Sequence, residues 1–408
     1  MKYKITAPKN PIYTDIKLPA SKSISNRALI LKALSNSSFP IENLSDCDDT
    51  RVMVETFASK GNIFDIGAAG TSMRFLTAYL SKKPGEWIIT GSERMQQRPI
   101  NTLVEALNTL GAHIEYLKNQ GFPPLKIKGS ALDGGDIFLS GGISSQFISA
   151  LLMIAPTMEK GLTLHLEGNI ISIPYIKLTL RMMEQFGVKC DWEGNVIKIF
   201  PNEYRPIPYL VESDWSAASY WYSIAALSTD ARIELKGLFK ESGQGDSKVA
   251  DLFLDLGVET EFTKEGVILT KTDRIAKKLF HNFINEPDLA QTFVVTCCMM
   301  AVPFLFTGLQ TLKIKETDRI EALKAEMKKL GYVITDSQNS ILEWDGERCE
   351  PDSTPIIATY EDHRMAMAFA PATLKLENLL IAEPMVVTKS YPYFWEDLRK
   401  AGFSVEEQ

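Results

Sequence analysis

Residues 144–187 read SSQFISALLMIAPTMEKGLTLHLEGNIISIPYIKLTLRMMEQFG, and this stretch decides the fold. A helix of small and apolar residues opens at Ser144, and the run LTLHLEG alternates as a half-buried strand does. A second helical pattern ends at Gly187, where glycine favours the left-handed turn that closes a helix. The stretch therefore predicts helix, strand, helix and turn, the elements of an α/β fold.

The same pattern occurs six times along the chain. The small-residue helices open near Lys22, Gly70, Ser144, Asp214, Pro287 and Asp362. The capping glycines are Gly61, Gly111, Gly187, Gly257, Gly331 and Gly402. The distances from each opening to its glycine are 39, 41, 43, 43, 44 and 40 residues, a regularity that indicates an internal repeat. With the strand-like runs between and after the helices, each unit is predicted to be a βαβαββ repeat of about 70 residues.

The six repeats predict two domains. The last repeat stops six residues after Gly402, and segment 1–20, with strand-like YKITAP and DIKLPA, is available to complete it. We therefore expect residues 20–211 to form one domain of repeats one to three. Residues 1–19 and 212–408 should form the other domain, of repeats four to six. The active site is expected in the interdomain cleft, where ligand sites often occur.

Composition excludes several functional classes. The 408 residues carry 51 acids and 44 bases, a net charge of −7, without the basic domain or tail typical of nucleic-acid binding. The five cysteines are odd in number and lack metal-ligand spacing, which argues against a zinc site and a disulfide scaffold. Cys297 and Cys298 are interpreted as buried thiols.

Two stretches bear on the location of the protein. The N-terminal residues contain no apolar segment of a secretory signal, which favours the cytoplasm. Residues 289–312 carry no charge, a length that would span a bilayer. They contain Gln291, Pro303 and Gly308, and the repeat pattern interprets them as a buried helix followed by a strand.

The helix starts carry the chemistry. Free N–H groups and the positive end of the dipole make a helix N-terminus an anion site. Each motif alone also fits an ordinary capped helix, and Lys315 and Arg319 have the spacing of a helix-surface ion-pair network. Walker A, dinucleotide and GxSxG motifs are absent. Together the motifs predict a cleft for two anionic small substrates, lined by Lys22, Arg27, Arg98, Lys315, Arg319, Arg364 and Lys389.

The combined motifs resemble a known family. In order, the 5-enolpyruvylshikimate-3-phosphate synthase family is matched by LPASKSISNRALIL, GAAGTSMRFL, QQRPI, SSQF, KETDR, EDHRMAMAFA and VVTKSYP. The resemblance covers nearly the whole chain. It implies two domains, each of three βαβαββ repeats, in agreement with the repeat arithmetic.

The resemblance also implies a reaction of the shikimate pathway, which leads to chorismate and the aromatic amino acids. The 5-hydroxyl of shikimate 3-phosphate adds to C2 of phosphoenolpyruvate while C3 gains a proton, and the tetrahedral adduct then expels phosphate. This chemistry needs a proton donor and a proton acceptor but no metal and no organic cofactor. The implied partners are the two substrates, without nucleic acid or membrane, and the protein is expected to be a monomer.

Site residues follow from the resemblance in three groups. The implied catalytic residues are Asp288 as proton acceptor, Glu316 as second acid, and Lys22 and Lys389 as aids to proton transfer. The implied contacts of shikimate 3-phosphate are Lys22, Ser23, Arg27, Ser144, Ser145, Ser172, Tyr175, Asp288 and Lys315. The implied contacts of phosphoenolpyruvate are Lys22, Gly70, Arg98, Gln146, Arg319, Arg364 and Lys389.

The sequence departs from the family pattern at two positions and leaves alternatives open. Ala68 and Thr311 stand where other members have Asn, so two side-chain hydrogen bonds are lost. Asp288 also fits a simple helix N-cap. The sibling UDP-N-acetylglucosamine enolpyruvyl transferase would need a reactive loop cysteine, and no Cys lies between Cys47 and Cys190. A non-catalytic anion-binding scaffold is the second alternative, but it would have no need of Asp288, Glu316 and Lys22 together.

Overall fold

The computed structural model describes residues 1–408. Its helices are α1 (Lys22–Leu34), α2 (Asp48–Ala58), α3 (Gly70–Lys82), α4 (Asn101–Thr109), α5 (Ser145–Ile154), α6 (Ile173–Gln185), α7 (Trp215–Leu227), α8 (Val249–Leu252), α9 (Ala290–Met299), α10 (Arg319–Lys329), α11 (His363–Phe369) and α12 (Phe394–Lys400). The helices of small residues begin within three residues of the six predicted openings, so these predictions are confirmed.

The strands are short, between two and six residues long. They are β1 (Lys2–Thr6), β2 (Ile12–Lys17), β3 (Ile41–Glu42), β4 (Ile63–Asp65), β5 (Gly85–Thr90), β6 (His113–Tyr116), β7 (Leu125–Gly129), β8 (Gly135–Ser140), β9 (Leu162–Glu167), β10 (Asp191–Glu193), β11 (Val196–Ile199), β12 (Tyr209–Leu210), β13 (Ala231–Lys236), β14 (Val258–Phe262), β15 (Gly266–Lys271), β16 (Leu279–Asn282), β17 (Phe304–Thr307), β18 (Thr335–Ser337), β19 (Ile341–Trp344), β20 (Ile356–Ile357), β21 (Leu379–Ala382) and β22 (Ser404–Glu407).

Five four-stranded sheets share one pattern of parallel and antiparallel pairing. In the third repeat the strand order is β10-β11-β9-β8. Strands β8 and β9 are parallel, with Gly135 opposite Leu162, and α5 provides the crossover between them. Strand β11 pairs antiparallel with both β9 and β10. This is the predicted βαβαββ unit, and the predicted α/β fold is confirmed.

Local sequence explains why the third repeat stops and turns where it does. Strand β9 alternates between buried Leu and more exposed polar residues, as a strand covered on one face requires. Helix α6 ends at Gly187, whose φ of +89° suits glycine. Gly187 N–H donates to the carbonyl of Glu184, and Val188 N–H donates to the carbonyl of Met183, which closes a Schellman turn.

Two sequence predictions about the repeats were wrong in part. Gly61 does not cap a helix in the left-handed conformation, because α2 already ends at Ala58 and Ser59 continues in an extended conformation. Segment 1–20 does not complete the last repeat alone. Strand β1 pairs with β21 and β22 of that repeat, whereas β2 pairs in parallel with β13 of the fourth repeat. The first repeat keeps only the two-stranded sheet of β3 and β12.

The chain forms two compact units. One comprises Met1–Pro19 and Glu212–Gln408, and the other comprises Ala20–Val211. Each unit has its own apolar core, and the helices of small residues are buried in it on nearly every side. Helix α5 buries all residues from Phe147 to Ile154 in the core of the second unit. Helix α7 is likewise buried from Ala217 to Leu227 in the core of the first.

The uncharged run 289–312 contains α9 and β17, as the repeat pattern predicted. Cys297 and Cys298 are buried in α9, which confirms their interpretation as buried thiols. None of the helices combines the length and apolar character that crossing a membrane would require.

Candidate active site

In the unit Ala20–Val211, Arg27 is a buried cation at the second turn of α1. Its Nε donates to Thr179 Oγ1 at 2.7 Å, and its Nη1 donates to the carbonyl of Ser23 at 2.8 Å. Its Nη2 donates to Ser149 Oγ at 3.1 Å and to the carbonyl of Tyr175 at 3.4 Å. Burial lowers the pKa of Arg27 to about 10. The structure thus brings together three predicted residues, Ser23, Arg27 and Tyr175, around one guanidinium group.

Lys22 lies at the start of α1 beside a buried acid. Its Nζ is 3.7 Å from Oδ2 of Asp49, which belongs to α2. The backbone carbonyl of Asp49 accepts a hydrogen bond from Ser72 Oγ at 2.7 Å, which ties α2 to α3. The prediction of Lys22 did not include this partner.

Two guanidinium groups converge at the N-terminus of α3. A Cβ atom added to Gly70 would lie 2.6 Å from Nη1 of Arg98 and 3.0 Å from Nη1 of Arg74. Arg74 donates to the carbonyl of Gly70 at 2.9 Å, one helical turn back. Only glycine leaves room for both cations here, and a helix N-terminus with two adjacent arginines favours an anion. The structure thus places the predicted Gly70 and Arg98 together.

Gln146 connects the start of α5 to the start of α3. Its Nε2 donates to Thr71 Oγ1 at 3.2 Å. Ser144 caps α5 by accepting a hydrogen bond from Gln146 N–H at 3.4 Å, and Ser145 is buried in the first turn. Capping by itself accounts for a serine at position 144, with no ligand needed. Gln146 contacts Thr71, the neighbour of Gly70, so two of the predicted phosphoenolpyruvate contacts lie close together.

Ser172 precedes α6 in a left-handed conformation, with φ of +54° and ψ of +37°. A non-glycine residue pays about 1–3 kcal/mol for such a conformation, which is most common at functional sites. The carbonyl of Ser172 accepts a hydrogen bond from Tyr175 N–H at 3.1 Å. The structure therefore places Ser172 and Tyr175 on the same turn, next to Arg27.

In the other unit, Asp288 is the centre of an ionic cluster. Its Oδ1 accepts from Arg319 Nη1 at 2.9 Å and from Lys315 Nζ at 3.4 Å. Its Oδ2 accepts from Arg364 Nη2 at 2.9 Å. Asp288 lies in a single 3₁₀ turn before α9, and the N-cap positions of that turn and of α9 are Glu286 and Leu289. The alternative that Asp288 is an N-cap is therefore wrong.

Two further carboxylates complete the cluster. Glu316 is 3.1 Å from Arg319 Nη2 and 3.0 Å from Lys389 Nζ. Asp362, completely buried, accepts from Arg319 at 2.7 Å and 3.3 Å and from the backbone N–H of Arg364 at 2.9 Å. The structure thus joins Lys389, Arg364 and Arg319, which the sequence placed far apart.

The KETDR run does not form an ion-pair network on a helix surface. Helix α10 begins only at Arg319, and Asp318 caps it by accepting from the N–H groups of Ile320 and Glu321. Lys315 and Glu316 lie in the connection before the helix, so their side chains can turn towards Asp288 and Lys389. The tertiary fold therefore assigns this motif to the cluster.

The charges of the cluster set the ionisation of Asp288. Burial would raise the pKa of Asp288, but the positive charges of Arg364, Lys315 and Arg319 outweigh burial and hold it well below 3.8. Burial likewise opposes the charge on Arg319, but its three carboxylates raise the pKa of Arg319 above its usual range. Both groups are therefore ionised at neutral pH.

Asp246 is a further acid beside the cluster, and the sequence analysis did not predict it. It is buried, and it accepts a hydrogen bond from Ser216 Oγ, which lies 3.4 Å from Arg364 Nη2. Burial, and next the negative charge of Asp288, raise the pKa of Asp246 to about 7. A buried carboxyl group that exchanges its proton near neutrality is typical of an active site.

Other missed residues gave weak signals in the sequence. Asp49 follows another acid in the first turn of a helix, where acids are common without a function. Asp362 belongs to the EDHRMAMAFA motif, but its position also fits a helix cap, which it is. Thr179 lies in the middle of α6 and gave no signal. Thr311 Oγ1, at one departure from the family pattern, is buried without a hydrogen-bond partner.

The chain matches a known protein family. The family model of EPSP synthase (3-phosphoshikimate 1-carboxyvinyltransferase) matches residues 6–62 and 54–398. The chain belongs to the EPSP synthase family. As a member of this family it is an enzyme, a transferase of aromatic amino acid biosynthesis, and the family binds shikimate 3-phosphate and phosphoenolpyruvate.

Individual relatives agree with the EPSP synthase assignment. A 3-phosphoshikimate 1-carboxyvinyltransferase of Bacteroides fragilis (strain YCH46) is 59% identical over 407 residues, covering 100% of this chain and 99% of the relative. One from Shewanella pealeana is 36% identical and covers 93% of this chain and 95% of the relative. A solved EPSP synthase from Acinetobacter baumannii has a TM-score of 0.80 at 20% identity over the whole of both chains, which supports the fold.

Proposed function

We propose that this chain transfers the enolpyruvyl group of phosphoenolpyruvate to the 5-hydroxyl of shikimate 3-phosphate and releases phosphate. Membership of the EPSP synthase family supports the reaction. The observation that carries the chemistry is the ionic cluster: one carboxylate, Asp288, lies within 3.4 Å of Lys315, Arg319 and Arg364. Both substrates are anions, and bases grouped in this way bind anions by charge-assisted hydrogen bonds.

Asp288 is the proposed proton acceptor in the addition step. The hydroxyl oxygen forms a bond to C2 of phosphoenolpyruvate, its proton passes to Asp288, and C3 takes a proton from an acid of the site. In the elimination step C3 loses a proton, the bond from C2 to the phosphate oxygen breaks, and phosphate leaves. The sum is one enolpyruvyl ether and one phosphate from the two substrates.

The cluster also explains how a strongly ionised Asp288 acts as a base. In the free protein its charge is matched by the bases that hold it, so its affinity for a proton is low. When substrate anions bind those bases, their charge offsets the cations and the proton affinity of Asp288 rises. Binding thereby activates the base only when the substrate is in place.

Glu316 and Lys389 are the proposed second acid–base pair. They lie 3.0 Å apart, and both side chains are largely buried. The position of Glu316 between Arg319 and Lys389 supports its role in proton transfer. The assignment of Lys22 to both substrates, and of the active site to an interdomain cleft, stays a prediction.

Phosphate release tests the proposal. We expect release from the purified protein only when shikimate 3-phosphate and phosphoenolpyruvate are both present, without added metal. Each substrate alone is the control. Equal release when UDP-N-acetylglucosamine replaces shikimate 3-phosphate would contradict the substrate assignment. We further propose that the protein acts in the cytoplasm as a monomer. Sedimentation velocity would test the monomeric state.

A further inference from the structure

Arg27 differs from Arg319 and Arg364, the other buried arginines of the proposed site, in having no acid beside it. It is 2% exposed, it forms no ion pair, and the ring of Phe75 lies 5.3 Å from its guanidinium carbon. Arg319 is equally buried but contacts Asp288, Glu316 and Asp362. A buried cation without a counter-ion costs free energy unless other groups hold it.

Neutral oxygens hold Arg27 instead. Thr179 Oγ1 accepts from Nε and Ser149 Oγ accepts from Nη2. The Thr179 hydroxyl in turn lies 2.8 Å from Ser149 Oγ and 3.0 Å from the carbonyl of Tyr175, either of which can accept its proton. These contacts join α1, α5 and α6, and they fix the plane of the guanidinium group on two edges.

Hydroxyl groups orient the cation without neutralising it. A carboxylate at either position would provide a permanent counter-ion and compete with an arriving anion. With hydroxyl partners the positive charge stays uncompensated, which is also why burial lowers the pKa of Arg27. An anion that reaches the remaining N–H group then gains a strong charge-assisted hydrogen bond.

We propose that Thr179 and Ser149 are positioning residues that hold Arg27 as an oriented, uncompensated cation for an anionic group of shikimate 3-phosphate. This inference rests on the proposed function. Neither residue is proposed to touch the substrate, so both act through Arg27. The inference extends the proposed site to two positions in the middle of α5 and α6, away from the helix starts.

A purely structural role is the competing explanation. Threonine in a helix often donates to the carbonyl four residues earlier, and Thr179 is placed to do so towards Tyr175. If this were its whole purpose, removing the hydroxyl would change stability and leave substrate affinities alone. A positioning role predicts a selective loss for one substrate.

The test compares Thr179→Val, Ser149→Ala and Thr179→Ser. We expect Thr179→Val to raise KM for shikimate 3-phosphate about tenfold, since it removes a hydrogen bond to a charged group. The KM for phosphoenolpyruvate and kcat should stay within about twofold. Ser149→Ala should act in the same direction, and Thr179→Ser, which keeps the hydroxyl, should restore the wild-type KM.

Thr77→Val is the matched control. Thr77 is buried in α3 of the same unit, and its hydroxyl donates to the carbonyl of Met73 one turn back, at 2.7 Å. This variant should lose similar stability in thermal unfolding but keep its KM values. An unchanged KM for shikimate 3-phosphate in a folded Thr179→Val protein would overturn the inference.

A double-mutant cycle separates action through Arg27 from a direct effect. Arg27→Ala should raise KM for shikimate 3-phosphate, and adding Thr179→Val should then change KM by less than about twofold. Independent, multiplicative effects would overturn the inference. If wild-type protein releases no phosphate from the two substrates, the proposed function fails instead. Shikimate 3-phosphate binding measured by calorimetry on the same variants still tests Thr179 in that case.

Discussion

Replacing Asp288 with Asn tests the centre of the proposed chemistry. The substitution keeps the shape of the side chain and its ability to accept hydrogen bonds, but it removes the charge and the basic oxygen. Asp288 is suited to this test because it occupies the N-cap position of neither its 3₁₀ turn nor α9. A change in activity therefore reports on the ionic cluster.

The structure sets the expected size of two effects. Loss of a positioned base typically costs about 10²–10⁴-fold in rate, so kcat should fall by that factor. Breaking one side of a buried ion pair typically costs about 3–5 kcal/mol. We expect a smaller loss of stability here, because Arg319 keeps Glu316 and Asp362 as partners and the Asp288 side chain is 17% exposed.

The assay is steady-state phosphate release with both substrates, together with thermal unfolding and binding of shikimate 3-phosphate by calorimetry. Binding should stay within about tenfold of wild type, because Arg27 and its hydroxyl partners are unchanged. Asp318→Asn is the matched control, since Asp318 caps α10, where Asn caps nearly as well, and its only charged neighbour is Lys313 at 3.9 Å. A near-normal kcat in folded Asp288→Asn protein would refute the proton-acceptor role and leave Glu316 as the carboxylate to test.

Two further predictions concern Gly70 and acid stability. Gly70→Ala should raise KM for phosphoenolpyruvate about tenfold or more, because the added Cβ would lie 2.6 Å from Arg98 Nη1 and displace a charged contact. Gly61→Ala is the control, since its added Cβ would lie 3.4 Å from the nearest atom. Equal KM values in both variants would contradict the role of Gly70. Because the folded pKa of Asp288 is lowered below an unfolded value of about 3.9, its contribution to stability is present above about pH 4 and is lost as pH falls through the folded pKa. The free energy of unfolding of wild type should therefore fall more steeply below pH 4 than that of Asp288→Asn, and parallel curves from denaturant titrations would argue against the lowered pKa.

Long-range pairing decided several features that the sequence left open or misassigned. Strand β2 pairs with β13, more than 200 positions away, so segment 1–20 serves two repeats. The wrong cap at Gly61 has a local cause: α2 ends three residues early, and the connection to β4 needs no left-handed turn. The charge pattern of KETDR fits a helix surface equally well, and only the start of α10 at Arg319 excludes it.

The sequence by itself determined the repeat, the six helix starts and the bases they carry, because caps, glycine turns and the periodicities of helix and strand act within a few residues. Tertiary structure alone decided which charges meet. Arg27 donates a hydrogen bond to Thr179, which lies 152 positions further along the chain, and Asp288 contacts Arg364, 76 positions away. Such partners depend on how separate helices pack, and burial then fixes the pKa values and the need for a counter-ion. For this reason Asp246 and Thr179 became visible only in the folded chain.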